Sequence, residues 1–471
     1  MMLRPLDDMR GFIRKTAYVL LAAMVSLLAY LTYIQLYSAK DLAENSLNRR
    51  NMAAAQKIKP GLIFDRNGEV LADSRKTKDG FQRQYPYGAI MAPVIGYSSL
   101  QRGSTGLESA WAQQLLGLDN PLSQLGPVGT LWQTGAGNNL VLNIDAALQQ
   151  AAYEALGSRK GAVVAFNPKT GAILALVSRP SFSPASLDDN WTAVSNDPNS
   201  PLLNRATQGL YPPGSIIKVL VAEAALREKK ADLNTLFECS GDLFIPPDYH
   251  LTEDKKRAHG KINLAEALTV SCNVTFGTLA LELGGRTMQE TFRRYGFEKE
   301  LGAGFSTERS HLPDFTALGR GDLAQTGIGQ GELLVTPLRM AMLAGVFAND
   351  GVMMLPRLVN RIETADGQIL RSFAPEIWLK PVESEQARQI RKMMVQVVEE
   401  GTGASARFGG VKVAGKTGTA ENAQGQPHAW FIGFAPADNP QIAIAVIVEN
   451  GGGGGSVAAP IARRIMSMAI Q

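Results

Sequence analysis

The chain has 471 residues, of which 45% are hydrophobic and 19% charged, a composition typical of a folded protein with room for more than one domain. Its formal net charge of +4 is too small to indicate a nucleic-acid partner. The only two cysteines, Cys239 and Cys272, exclude a disulfide scaffold, and we expect two mostly buried thiols.

The first predicted element is a membrane span. Residues 17–36 carry no charge, and three basic residues stand just before them, within residues 10–15. Such a stretch is long enough to cross a bilayer, and the basic flank predicts a cytoplasmic N-terminus. A cleaved signal peptide is the alternative, but the sequence after the span offers only a poor cleavage site. We therefore predict a cytoplasmic tail over 1–15, a transmembrane signal anchor over 16–37 and an extracytoplasmic remainder.

The next predicted region, residues 38–144, is a stalk and pedestal. Residues 38–58 indicate a polar helix that ends at Pro60-Gly61. Residues 59–120 mix short β-like runs with turn signals, and residues 120–138 are rich in Gly, Pro, Ser and Asn. We predict a small irregular domain followed by a linker.

Stronger signals predict one further domain over 145–471. Residues 145–156 show a helical pattern, and two apolar runs around the turn at 167–171 predict a β-hairpin. Mostly helical patterns follow, and the chain becomes β-rich again before a final helix. Strands at both ends of a segment, with helices between them, predict an α+β domain. The glycine run at 451–455 is expected to form a loose loop between the last strand and the last helix.

The stretch GGVKVAGKTGTAEN matches two unrelated motifs. Residues 410–417 fit the phosphate-loop pattern G-x-x-x-x-G-K-[ST], whereas Lys416-Thr417-Gly418 fits the K-T-G element of penicillin-interacting serine enzymes. A phosphate loop needs a strand before its first glycine and a helix that starts at the Lys-Thr. Val411 and Val413 instead predict that the strand lies inside the motif, and the residues after Thr417 are poor helix formers. The sequence therefore favours the K-T-G interpretation.

A candidate nucleophile lies upstream of this motif. Ser215 and Lys218 are three residues apart, just after Pro-Pro-Gly and at the start of an apolar helical run. This spacing places both side chains on one face of the first turn. The N–H groups at the helix N-terminus can stabilise negative charge near Ser215, and a second cation nearby would favour the neutral, basic form of Lys218. We predict Ser215 as the nucleophile and Lys218 as its base.

A third element, Ser271-Cys272-Asn273, follows a helical pattern. S-x-N also occurs at Ser46-Leu47-Asn48, and a second Lys-Thr-Gly occurs in the hairpin turn at 169–171, so neither triplet is specific by itself. Each motif alone could be a helix cap, a core pair or a strand turn. In the order S-x-x-K, S-x-N, K-T-G, however, the three form the set that characterises β-lactamases and penicillin-binding proteins.

The histidines give little support for a metal site, because they are scattered without H-E-x-x-H or any paired spacing. We interpret them as loop or core residues. They are His250, His259, His311 and His428.

Beyond the three motifs, the sequence resembles a class B, monofunctional penicillin-binding protein over nearly all of the chain after the span. Six segments carry this likeness, at residues 61–72, 85–97, 103–117, 201–218, 327–341 and 428–438. The resemblance implies the α+β penicillin-binding fold, an antiparallel sheet with helices on both faces plus a helical subdomain, preceded by the single anchor and the pedestal. It also implies a peptidoglycan D,D-transpeptidase that cross-links stem peptides and is inhibited by β-lactams, with no cofactor and no metal.

The resemblance also implies the roles of the first two motifs. Ser215 would attack the carbonyl of the penultimate D-alanine of a donor peptide, with Lys218 as the base. Ser271 would relay the proton to the leaving amine, and Asn273 would hold the substrate amide. A SEDS-family membrane glycosyltransferase is the implied partner.

For the third motif, the resemblance implies binding of the terminal carboxylate by Lys416, Thr417 and Thr419. Gly418 has no side chain to block a substrate backbone that adds alongside the strand. The backbone N–H groups of Ser215 and Thr419 would form the oxyanion hole.

Two alternatives remain open. A D,D-carboxypeptidase on the same fold would differ only in the nucleophile that reaches the acyl-enzyme. A membrane-anchored scaffold with an inactive site is the non-enzymatic alternative, and the intact motif residues argue against it. A bifunctional class A protein is disfavoured, because the region before residue 145 is too short for an added glycosyltransferase domain.

Overall fold

The computed structural model describes residues 6–34, 37, 57–78, 80–118, 136–422 and 425–470. Most of the predicted polar stalk helix and of the predicted linker lies outside these residues, as does the second S-x-N triplet at 46–48.

Nineteen strands lie within the described residues. They are β1 (Ile63–Phe64), β2 (Val70–Thr77), β3 (Gly80–Gln84), β4 (Ser98–Ser99), β5 (Gly103–Ser104), β6 (Asn139–Leu142), β7 (Gly161–Phe166), β8 (Ile173–Arg179), β9 (Leu236–Cys239), β10 (Asp242–Ile245), β11 (Tyr249–Thr252), β12 (Gly260–Asn263), β13 (Met353–Met354), β14 (Val359–Glu363), β15 (Ile369–Ser372), β16 (Ile377–Leu379), β17 (Ala414–Ala420), β18 (His428–Ala435) and β19 (Ile442–Val448).

The α-helices of the same residues lie mostly between the strands. They are α1 (Leu6–Tyr33), α2 (Ala92–Ile95), α3 (Gly106–Ala110), α4 (Ala112–Leu115), α5 (Ala146–Leu156), α6 (Leu187–Ser195), α7 (Lys218–Arg227), α8 (Leu264–Val270), α9 (Asn273–Arg294), α10 (Arg320–Gly327), α11 (Pro337–Ala348), α12 (Ser384–Glu399) and α13 (Ala458–Ile470).

Helix α1 contains one segment that is long and apolar enough to cross a membrane. This segment, Met9–Tyr33, has 25 residues and a mean hydropathy of 1.7, and its most apolar window is not buried against the rest of the protein. A helix of this length exceeds the thickness of a bilayer core. It coincides with most of the predicted signal anchor.

The pedestal is more regular than the sequence predicted. Strands β1, β2, β3 and β6 join β14 and β15 in a six-stranded sheet with the order β15-β14-β6-β1-β2-β3. Two of its strands therefore come from a part of the chain far beyond residue 144. The sequence did not predict this sheet, because β1 has only two residues and gives no periodic signal, and because some of its strands pair across a long sequence distance.

The second sheet is five-stranded and antiparallel, with the order β17-β18-β19-β7-β8. Every residue of β19 is buried, so both faces of the sheet are covered. Ala443, Ala445 and Ile447 pack into the core that contains α11, whereas Ile444 and Val446 pack into the core that contains α5 and α13. The predicted α+β fold with helices on both faces is confirmed, as is the hairpin of β7 and β8.

Strand β17 forms one edge of this sheet, and its start differs from the prediction. The strand begins at Ala414 rather than at Val411, so that Lys416, Thr417 and Thr419 all lie within it. Gly418 is paired with Trp430 of β18. The K-T-G motif is therefore part of an extended strand.

The glycine run after β19 is packed closely rather than loosely. A Cβ atom on Gly454 would lie 2.3 Å from the carbonyl oxygens of both Gly418 and Trp430. A Cβ on Gly455 would lie 2.6 Å from the Thr402 carbonyl oxygen. The glycines let this loop pass directly over the K-T-G strand, which a residue with a side chain at 454 could not do.

Candidate active site

The predicted nucleophile lies in a turn that is held from three sides. The Tyr211 backbone exchanges hydrogen bonds with Val335, and Trp430 Nε1 donates to the Pro212 carbonyl at 3.0 Å. Gly214 has a φ of +56°, and a Cβ there would lie 2.8 Å from the Thr419 carbonyl oxygen. Only glycine combines this backbone conformation with so close an approach. The turn therefore holds Ser215 next to the K-T-G strand.

Ser215 is half-buried and lies in a 3₁₀ turn, Gly214–Ile217, that leads into α7 at Lys218. The sequence predicted an α-helical first turn at this point. In a 3₁₀ turn, side chains three residues apart eclipse one another, so this geometry aligns Ser215 with Lys218 more closely than an α-helical turn would.

Ser271 has a left-handed backbone conformation at the end of α8, with a φ of +63°. Cys272 then caps α9 through a bond from the Thr275 N–H to its Sγ, and Asn273 is the first residue of that helix. A left-handed serine costs about 1 kcal/mol or more, and such strain concentrates at functional sites. Here it turns the chain sharply enough to bring Ser271 and Asn273 to the same lysine.

Ser271 lies between that lysine, Lys218, and Lys416. Lys218 Nζ donates to the Ser271 carbonyl and to Asn273 Oδ1, both at 2.6 Å, and lies 3.4 Å from Ser271 Oγ. Lys416 Nζ donates to Ser271 Oγ and to the Thr417 carbonyl, both at 2.9 Å. The structure thus joins residues of all three motifs in one hydrogen-bonded group.

Both lysine side chains are fully buried, with 0% exposure. Burial lowers the pKa of Lys218 to about 8, although the negative charge of Glu253 acts in the opposite direction and raises it. Burial and the nearby charge of Lys218 lower the pKa of Lys416 well below its ordinary value. Two buried ammonium groups this close disfavour one another, so one lysine is readily available as a neutral base near neutral pH.

We expect acylation to rise with pH between pH 6 and 8 and to level off above pH 8. A base with a pKa of about 8 is mostly protonated at pH 6 and half neutral at pH 8, so the expected rise is about 50-fold. The measurement is the rate of penicillin acylation in a stopped-flow experiment across this pH range. A flat profile would contradict the assignment of Lys218 as the base.

The remaining K-T-G residues lie on the edge strand β17. Thr417 is buried apart from 6% of its surface, whereas Thr419 is exposed. A Cβ on Gly418 would lie 3.0 Å from Ile216 Cγ2 and 3.1 Å from the Pro213 carbonyl oxygen. Glycine at 418 therefore allows close packing against the nucleophile turn, in addition to the predicted space for a substrate backbone.

Asn273 is more constrained than its predicted role suggests. Its Oδ1 accepts from Lys218, and its Nδ2 donates to the Thr252 carbonyl at 2.9 Å. An amide nitrogen carries two N–H bonds, so one remains for another acceptor. Sequence reasoning missed Thr252 because its backbone carbonyl leaves no residue-type signal.

A second cluster lies directly behind the S-x-N motif. Donor atoms of Cys239, Glu253, His259 and Cys272 all lie within 4.8 Å of one another. Both cysteines are buried thiols, and Cys272 Sγ donates to Glu253 Oε1 at 3.0 Å. Two thiols, an imidazole and a carboxylate are donors that Zn²⁺ prefers in proteins. The sequence-based argument against a metal site overlooked this cluster, because its members come from three separate segments.

This donor set leads to a direct prediction for metal binding. We expect added Zn²⁺ to raise the melting temperature of the chelator-treated protein, because a bound ion stabilises only the folded state. His259→Ala should lose this effect, and His311→Ala, which changes a histidine outside the cluster, should keep it. An equal response of both variants to Zn²⁺ would contradict binding at the cluster. The measurement is differential scanning fluorimetry with and without the ion.

The structure rules against the phosphate-loop interpretation. Residues 414–420 form a continuous strand paired with β18, and no helix begins at Lys416 or Thr417. The Lys416 amino group is buried against Ser271 rather than open to a phosphate. Without a helix N-terminus at the motif, the backbone donors that cradle phosphates are missing.

Comparisons with known proteins agree with this geometry. The family model of the penicillin-binding protein transpeptidase domain matches residues 161–467, and that of the penicillin-binding protein A dimerisation domain matches residues 61–126. Peptidoglycan D,D-transpeptidase PbpA of Mycolicibacterium smegmatis is 34% identical, over 98% of this chain and 99% of the relative. Peptidoglycan D,D-transpeptidase MrdA of Escherichia coli is 30% identical, over 80% of this chain and 69% of the relative.

A solved structure shows the same likeness in three dimensions. Penicillin-binding protein A of Mycobacterium tuberculosis, in its penicillin G acyl-enzyme complex, superimposes with a TM-score of 0.81 at 32% identity. The match covers 88% of this chain and 100% of that one. The motif geometry, the two family domains and the full-length relatives agree, and the chain belongs to the penicillin-binding proteins of the peptidoglycan D,D-transpeptidase type.

Proposed function

We propose that this protein cross-links peptidoglycan stem peptides through an acyl-enzyme on Ser215, with Lys218 as the base. One observation carries the assignment of roles: Lys218, one helical turn after Ser215, and Lys416, both fully buried, converge on the Ser271 hydroxyl. The protein would be a serine acyl transferase that uses lysine amino groups for proton transfer, whereas serine proteases use histidine for this step.

Lys218 would act as a base in its neutral form, with the Ser271 carbonyl and Asn273 Oδ1 as its two short contacts and Ser271 Oγ more distant, at 3.4 Å. A neutral amino group has two N–H bonds and one lone pair. The lone pair would take the proton of Ser215 as its oxygen attacks the donor carbonyl.

Acylation and transfer follow from this arrangement. Ser215 Oγ bonds to the carbonyl carbon of the penultimate D-alanine, the peptide C–N bond breaks, and the terminal D-alanine leaves as an amine. Ser271, which lies between the two lysines, would pass the proton to that amine. The amine of a second stem peptide then attacks the ester, forms the new amide and returns Ser215 to its hydroxyl form. The backbone N–H groups of Ser215 and Thr419 would stabilise the oxyanion in both steps.

The acceptor distinguishes this function from a D,D-carboxypeptidase. The full chain in detergent would be incubated with a donor peptide ending in D-Ala-D-Ala and with a D-amino acid as the acceptor amine. We expect the exchanged peptide as the main product, identified by mass spectrometry. Formation of only the hydrolysed donor would contradict transpeptidation and support a carboxypeptidase.

A β-lactam would enter the same path as an acyl donor whose leaving group stays attached. The related penicillin-binding protein A forms an acyl-enzyme with penicillin G. We therefore infer that penicillins acylate Ser215 of this chain. Because the leaving group remains in the site after acylation, we expect the adduct to persist.

The apolar segment of α1 would anchor the protein, with its N-terminus in the cytoplasm and the catalytic domain outside. The basic residues before the span support this orientation. Protease added outside spheroplasts should digest the catalytic domain and leave an N-terminal tag protected. A digested tag would contradict this orientation.

The SEDS-family glycosyltransferase partner rests on the class B resemblance, and co-purification from crosslinked membranes would test it.

A further inference from the structure

Thr402 lies beside the K-T-G strand, in the turn that follows α12. Its Oγ1 is 2.6 Å from the Oγ1 of Thr417. Thr402 is exposed, whereas Thr417 is almost completely buried. The Thr402 hydroxyl therefore lies on the solvent side of the Thr417 hydroxyl.

The position of Thr402 is fixed by its backbone. Its N–H donates to the Thr269 carbonyl at 3.3 Å, and its own carbonyl is covered by Gly455. A Cβ on the preceding Gly401 would lie 2.4 Å from the same Thr269 carbonyl oxygen. Thr269 is two residues before Ser271, so the turn that holds Thr402 packs directly against the S-x-N segment.

The paired hydroxyls leave a donor for a ligand. One O–H of the Thr402 and Thr417 pair is used between the two oxygens, and the other O–H remains, whichever residue donates. Thr419 Oγ1 accepts from the Gly454 N–H at 3.5 Å, so its own O–H also remains. An anion is the acceptor that gains most from such donors, because hydrogen bonds to charged groups are the stronger ones.

We propose that Thr402 is a substrate-binding residue that, together with Thr417, recognises the terminal carboxylate of the donor peptide and the equivalent carboxylate of penicillins. The proposal rests on the proposed function and extends its carboxylate site beyond the K-T-G motif. It makes Thr402 a determinant of the preference for a charged over an uncharged acyl donor. A residue that only supported the strand would affect both donors alike.

The test compares penicillin G with its methyl ester, which has the same β-lactam ring but lacks the negative charge. The second-order acylation rate constant would be measured for both compounds with the full chain in detergent. We expect Thr402→Val, which removes only the hydroxyl, to reduce the preference for the acid over the ester about tenfold. Thr402→Ser, which keeps the hydroxyl, should retain most of that preference.

Thr192→Val is a matched control, because it makes the same change at an exposed threonine of α6. Acylation of Thr402→Val with an unchanged ratio between acid and ester, or with an equal loss for both, would overturn the role of Thr402 alone. Absence of acylation of the unmodified protein by either compound would overturn the proposed function and this proposal with it.

Discussion

Ser215→Ala is expected to abolish release of D-alanine from a donor peptide, with a loss of at least about 1,000-fold in kcat/KM. The substitution removes the only atom to which the acyl group is proposed to bond. Its effect on folding should be small, because Ser215 is a small, half-buried side chain. We expect a change of less than about 1 kcal/mol in the free energy of unfolding.

Ser195→Ala is a suitable control, because Ser195 is an exposed serine at the end of α6. It should release D-alanine at the unmodified rate. Substantial release by a folded Ser215→Ala protein would contradict the assignment of the nucleophile. Both variants would be assayed by coupled detection of free D-alanine, with melting temperatures recorded in parallel.

Lys218→Met should separate activity from stability. Loss of the general base is expected to lower the acylation rate about 100- to 10,000-fold. The melting temperature should change little, because methionine removes a charge from a fully buried site but also leaves the Ser271 carbonyl and Asn273 Oδ1 without this donor. The low pKa of Lys218 reflects that buried charge, since burial disfavours its charged form.

The same change at Lys230, an exposed lysine just beyond α7, provides the comparison. Lys230→Met should leave acylation unchanged. Lys218→Met with a near-normal acylation rate would assign the base elsewhere, with Lys416 as the next candidate. A large drop in melting temperature for Lys218→Met would show that the hydrogen bonds of Lys218 to Ser271 and Asn273 stabilise the fold.

Sequence predicts this protein best where periodicity and motif order coincide. The helix over 146–156 and the hairpin of β7 and β8 have strong local patterns, and both were correctly predicted. Motif order singled out Ser215, Lys218 and Lys416, because the chemistry demands specific residue types there. The structure brings Lys218 and Lys416 together around Ser271, and the catalytic roles of these residues remain predictions.

What the sequence could not show depends on contacts between distant segments. The pedestal sheet joins β6 to β14, and no local pattern reports a pairing across more than two hundred residues. Glu253 and His259 carry no motif, and only the fold brings them to Cys272. No sequence motif marks Thr402 either, since its proposed role in carboxylate binding depends on a contact with Thr417.

Formation of an acyl-enzyme on Ser215 can be observed directly. The most direct measurement is mass spectrometry of the full chain after incubation with penicillin G, followed by proteolysis and mapping of the modified peptide. We expect one penicilloyl group per chain, located on the peptide that contains Ser215. An adduct on any other residue, or an unmodified folded protein, would contradict acylation of Ser215.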